Sequence, residues 1–165
     1  MCSSDLPTGR AVLGRPQDAP GAVALTADGT PVAVDASDLS TDDSPAVVTV
    51  DADRVWGVVG DGTSLRLGVG ELGSGSAPVE LTPVTAWAST TTPTAVVATE
   101  GRLWVGTDDG TLWRLDTDAT RAGNPVGYPL VDGAVGALVP VSPSLLWATS
   151  GAGNAVRTDE VVTGD

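Results

Sequence analysis

The chain has 165 residues, 21 of them acidic and 8 basic, for a formal charge of −13 at pH 7, and it contains no Lys, His, Ile or Phe. So anionic a surface repels phosphate backbones and acidic lipid headgroups, which argues against nucleic acid and peripheral membrane as partners. No uninterrupted apolar stretch approaches the roughly 20 residues of a spanning helix, and a chain rich in Gly, Thr, Val and Pro sustains no helical periodicity.

Met1 to Leu6 reads MCSSDL. Its back-translation, GTG TGC TCT TCC GAT CT, resembles the 3′ end of a sequencing adaptor. Residues 1–6 are therefore expected to be a processing scar, with the gene interrupted upstream and no targeting segment readable. Cys2, the single cysteine, falls in this stretch, so neither a disulfide framework nor a thiolate nucleophile is expected. Lys, Ile and Phe have AT-rich codons, and their absence points to a GC-rich, actinobacterial source.

In residues 7–44 the runs Gly21–Leu25 and Pro31–Val34 flank Asp28-Gly29 and predict a β-hairpin. Only 24 residues separate Val32 from Trp56, so this part is expected to be a partial or atypical unit.

From Pro45 onward the chain aligns with itself. Pro45–Leu67 lies over Pro93–Leu115 at a displacement of 48, matching Trp56 with Trp104, Asp61-Gly62-Thr63 with Asp109-Gly110-Thr111, and Arg66 with Arg114. Leu145–Asp159 follows at a displacement of 43, placing Trp147 on Trp104, Gly153 on Gly110, Arg157 on Arg114 and Asp159 on Asp116. Within the first copy, strands are predicted at Ala46–Val50, Arg54–Val59 and Thr63–Leu67. The second strand is apolar on both faces, as Leu103-Trp104-Val105 shows in the next copy, which fits a strand covered on both sides. Asp-Gly supplies the positive φ of a tight hairpin turn between the second and third strands. Looser stretches, Gly73–Ser76 and Thr117–Asn124, lead to a fourth apolar piece at Val79–Leu81 or Val126–Leu130.

A unit of about 40 to 50 residues with four strands is a propeller blade. The predicted fold class is therefore all-β, a β-propeller segment of about three to four four-stranded blades. The boundaries are 7–44 for the atypical blade, 45–89 and 90–131 for two full blades, and 132–165 for an incomplete one. A plain β-sandwich would not show such a repeat period. End blades of an open segment expose sheet faces, so self-association is expected.

The run LWVGTDDGTLWRLD, followed by a loop and later another Leu-Trp pair, resembles streptogramin lyase-like and related YVTN- or NHL-type propellers over Pro45–Asp159. That resemblance implies an extracytoplasmic, secreted or cell-surface location. The lyases among such proteins use histidine as a base, and this chain has none.

A sugar-stacking role for Trp56, Trp104 and Trp147 is set against their recurrence inside apolar strand centres, which favours packing between blades. Trp113 aligns with Leu65 and Val156 and reads as core. Trp87, which does not recur, is the better candidate for an exposed contact. Arg66, Arg114 and Arg157 are read as structural partners of carboxylates rather than as an anion site. Asp108, Asp109, Asp116 and Asp118 suggest calcium by composition. Arg121, however, stands where an EF-hand loop needs glycine, and hairpin and turn duty is preferred. Zinc, haem and iron–sulfur ligand sets are missing from the sequence, and Gly151-Ala152-Gly153 opens no helix and reads as a turn. No catalytic residue, cofactor site or metal site is assigned. The expected function is a non-catalytic propeller module for interaction or sensing, with a protein, peptide or glycan ligand. The alternative is part of a propeller lyase or hydrolase whose catalytic residues lie outside this sequence.

Overall fold

The computed structural model describes residues 22–26, 28–39, 46–73, 77–99, 101–118, 121–130, 133–142 and 145–157. The residues read as a scar, including Cys2, lie outside them, as do Asp159 and most of the Gly73–Ser76 loop. The described residues are all β, with fifteen strands and no helix. β1 (Ala22–Leu25), β2 (Pro31–Asp35) and β6 (Val79–Glu80) form a first sheet. β3 (Val47–Asp51), β4 (Arg54–Gly60), β5 (Ser64–Glu71) and β7 (Thr82–Ala88) form a second sheet, paired in that order. In the third sheet β8 (Pro93–Thr99), β9 (Arg102–Thr107) and β10 (Thr111–Asp118) pair in turn, and both β11 (Arg121–Ala122) and β12 (Val126–Pro129) add to β10. β13 (Val135–Ser142), β14 (Leu145–Ser150) and β15 (Ala155–Arg157) form the fourth. None of the sheets closes into a barrel.

The sheets lie face to face in chain order, with three apolar layers between them. Ala24 and Val34 of the first sheet meet Val48, Val50, Val55 and Val59 of the second. The opposite face of the second, with Trp56, Val58 and Leu67, meets Val96, Leu103 and Val105 of the third. Val97, Trp104 and Leu112, on the far face of the third, meet Leu146 and Ala148 of the fourth. The opening strands approach one another most closely, β1 on β3, β3 on β8 and β8 on β13. A hydrogen bond from Thr94 Oγ1 to the Val135 carbonyl, 2.7 Å, fastens β8 to β13.

Alternation along the second strand of each sheet explains this layering. β4 and β9 are buried on both faces, as the two-sided apolar pattern predicts. β14 is not: Leu146, Ala148 and Ser150 are buried, but Trp147 is exposed.

Two sequence expectations change. Val79–Leu81 is not the fourth strand of its copy: Val79 and Glu80 pair in parallel with Val34 and Asp35 in the first sheet, and β7 takes the fourth place beside β5. Glycines on the second sheet make room for this crossing. A Cβ on Gly57 would stand 2.3 Å from Leu81 Cδ1, and one on Gly70 would stand 2.4 Å from Val79 Cγ1. Apolar side chains from the crossing segment thus fill space that any larger residue would take.

The gap-free alignment also misplaces β5. Asp61 N bonds to Ser64 O at 3.1 Å, closing a two-residue turn of Gly62 and Thr63. In the third sheet Gly106 pairs with Leu112, which sets Thr107 opposite Thr111 around the three residues Asp108–Gly110, with Gly110 N bonded back to Thr107 O at 3.2 Å within the turn, and Ser150 N bonds to Asn154 O at 2.8 Å around Gly151–Gly153. The register beyond the turn differs accordingly. Trp104 faces Arg114 and Trp147 faces Arg157, whereas Trp56 faces Val69. Arg66 is therefore not the structural counterpart of Arg114, nor Leu65 of Trp113, although Val156 remains so.

Candidate interaction face

The hairpin turns between second and third strands carry the acidic residues singled out in the sequence. Asp61 accepts hydrogen bonds from Thr63 N and Oγ1 at 2.9 and 2.8 Å and from Ser64 N and Oγ at 2.6 and 2.8 Å. Arg66 Nε adds a fifth at 3.1 Å. The Thr63 and Ser64 donors, the Thr63 hydroxyl foremost, hold the carboxyl well below the ordinary carboxylate range. Burial pushes the Asp109 carboxyl up, but Thr107 Oγ1 at 2.7 Å, with Thr111 N and Oγ1 both at 3.0 Å, outweighs it and leaves the group lowered. Asp28 is lowered likewise, by the Thr26 hydroxyl and the Thr30 amide, and Asp35 by the Ser37 amide. Groups so bound are anionic at neutral pH and have no proton to give, unlike a general acid tuned toward neutrality.

The four aspartates considered for calcium are not brought together. Asp108 accepts from Thr92 N at 3.0 Å, at the turn end of β10, whereas Asp116 pairs with Arg102 at 3.4 Å, at its other end. The extended strand from Thr111 to Asp116 spans roughly 17 Å and separates the turn that holds Asp108 and Asp109 from Asp116. Among the described residues no three His, Cys, Asp or Glu side chains gather as a metal set. Gly151–Gly153 forms the turn between β14 and β15, with Gly153 at φ +84°. Arg–carboxylate pairing is found for Arg66 with Asp61 at 3.1 Å and for Arg114 with Asp116 at 4.0 Å. Arg157 stands over the Trp147 ring, 5.8 Å from its centroid, and the carboxylate expected for it, Asp159, lies outside the described residues.

Trp87 is not an exposed contact. It is 8% exposed and packs on Trp113 at 5.8 Å between centroids, with an interplanar angle of 55°. Cross-strand pairing with Leu65 places it on the buried face of β7, which nothing in TAWASTTTP betrays. Trp56 and Trp104, 2% and 1% exposed, are buried packing residues as the sequence implies. Trp147, at 38%, is not.

Trp147 centres the outer face of the fourth sheet. Val139, Trp147 and Arg157 form one cross-strand row, and Ala137, Thr149 and Ala155 the next. Val139 and Val141 are exposed. The matching row of the third sheet, Val97, Trp104, Arg114 and Val126, turns its tryptophan into the layer shared with Leu146 and Ala148. Sequence reading missed this open face. The one signal lay beside the indole, where Thr149 occupies the place that Gly106 and Val58 hold in the buried copies.

No protein-family model and no curated protein matches the chain. Among solved structures it is similar to the crystal structure of the computationally designed Ika4 protein, with a TM-score of 0.52 and 19% identity. The match covers 88% of this chain and 94% of that one. Similarity at this identity speaks for an all-β fold of stacked antiparallel sheets and not for an activity.

Proposed function

We propose that the chain is a run of β-propeller blades serving as a non-catalytic interaction or sensing module of an extracytoplasmic bacterial protein, with a protein, peptide or glycan as ligand. The convergence of the opening strands β1, β3, β8 and β13 carries this reading. Sheets that crowd at their first strands and follow one another in chain order, two of them burying both faces of their second strand, support a reading as blades about an axis. The chemistry supports the second half of the proposal. Carboxylates at the turn ends are committed to their own hairpins, and the chain has no histidine to serve as a base.

The test is a binding screen of the purified chain on peptide, protein and glycan arrays, run beside a panel of lyase and hydrolase substrates. Saturable binding without turnover is the expected result. Turnover of any panel substrate, or inertness across every array, overturns the proposal.

A further inference from the structure

Much of what holds the first sheet in place lies outside its hairpin. β1 and β2 bury Ala22, Ala24 and Val34 in the layer against the second sheet, whereas Leu39, just past β2, and Val79 and Leu81 of the crossing bring the larger side chains. Buried apolar area grows with side-chain size, so these three residues carry the larger share of the attachment. The second sheet is cut away to seat them. A Cβ on Gly68 would stand 2.8 Å from Leu39 Cδ2 and 3.1 Å from Leu81 Cβ, and one on Gly70 would stand 2.5 Å from the Glu80 carbonyl oxygen as well as against Val79. Backbone pairing adds little. Among the described residues the hairpin's one ladder outside itself is the parallel pairing of Val34 with Val79 and Asp35 with Glu80, extended by a bond from Leu81 N to Asp35 O at 2.9 Å.

From this arrangement we infer that the first hairpin is a flap, clasped shut by the Val79–Leu81 crossing, and that flap and crossing open as one unit while the other three sheets stay folded. The crossing runs between β5 and β7, both strands of the second sheet, so it can lift from the glycine-lined face without unpairing either. The ladder of Ala22–Leu25 on Pro31–Val34 is internal to the hairpin and moves with it. Opening thus gives up the burial of a few side chains, where unfolding the second or third sheet gives up a layer on each face. It bares Val48, Val50, Val55 and Val59, so the clasp sets whether that valine face is covered. A two-stranded hairpin freed from its support is marginal in water, and its amides exchange once it lifts. The device works whether or not the sheets ring an axis.

Amide hydrogen exchange of the full chain, resolved residue by residue by NMR, tests the clasp. In the wild type the ladder amides of β1 and β2 and the Leu81 amide are expected to share one level of protection and to exchange at least about tenfold faster than those of β9. Val79→Ala trims the clasp's buried side chain. Gly70→Ala puts a Cβ into its seat, at a position in β5 whose φ is not positive and which alanine can otherwise occupy. Each variant is expected to speed exchange in β1, β2 and at Leu81 by a common factor of about tenfold and to leave β9 and β14 unchanged. Acceleration at Leu81 with the hairpin unmoved overturns the inference, because the two then open separately. Equal acceleration in β9 also overturns it, since the whole chain is then unfolding, and so do variants that exchange as the wild type does. A wild-type hairpin protected as strongly as β9 overturns it with no variant needed, which keeps the test decisive if either substitution prevents folding.

Discussion

One indole position in the strand pattern has different weight in different sheets. Trp104 is enclosed between two sheets, and truncating so large a buried side chain removes both its transfer energy and the contacts of its neighbours. Trp104→Ala is expected to cost about 3–5 kcal/mol, and Trp147→Ala under about 1 kcal/mol in the dilute monomer, as for a surface substitution. Urea unfolding followed by circular dichroism measures both. The turn aspartates give the fold an acid limit. Hydrogen bonds lower the carboxyls of Asp28, Asp35, Asp61 and Asp109 relative to the unfolded chain. Their contribution is therefore complete above the unfolded value of about 4 and is lost as pH falls below it. Thermal midpoints should hold level from neutral pH to about 5 and decline below about 4. Asp61→Asn should flatten that decline. A wild-type midpoint that rises on acidification would show that relief of the net negative charge outweighs the turns.

At the level of strands and turns, the sequence carried the pattern but not the register. Two-sided apolar strands, Asp-Gly hairpins and a short piece at Val126 were legible because alternation and turn chemistry are local. Whether a turn holds two residues or three was not, because Asp-Gly-Thr occurs in both Asp61–Thr63 and Asp109–Thr111 and only the hydrogen bonds across the hairpin separate them. The consequence reaches Arg66, which the letters align with Arg114 and the strand pairing does not. The turn between β3 and β4 has its own peculiarity: Ala52 sits at φ 52°, a left-handed conformation that its Cβ disfavours. Ala52→Gly is expected to stabilise by about 0.5–1 kcal/mol, since relief of that strain exceeds the added freedom of the unfolded chain. A lowered urea midpoint would contradict it.

Across the whole molecule, protection should follow coverage. Among the described residues the second and third sheets have neighbours on both faces, and the fourth on one. Amide exchange in dilute solution should be slowest in β4 and β9 and faster in β14, where opening needs less burial to be undone. Equal protection in all three strands would mean that the outer face of β14 is already covered. The serial order of sheets was readable from the self-alignment. The crossing of β6 into the first sheet was not, because it depends on room left by Gly57 and Gly70 and filled by Leu81 and Val79, a complementarity between residues distant in the chain.

That crossing also orders events during synthesis. Val34 finds its parallel partner only in Val79, so the first hairpin leaves the ribosome without the strand that completes its sheet. It must wait until β3, β4 and β5 have been made. The first hairpin is thus translated ahead of β3, β4 and β5 yet cannot be finished ahead of them, and a nascent chain halted ahead of Val79 would hold that hairpin unlatched.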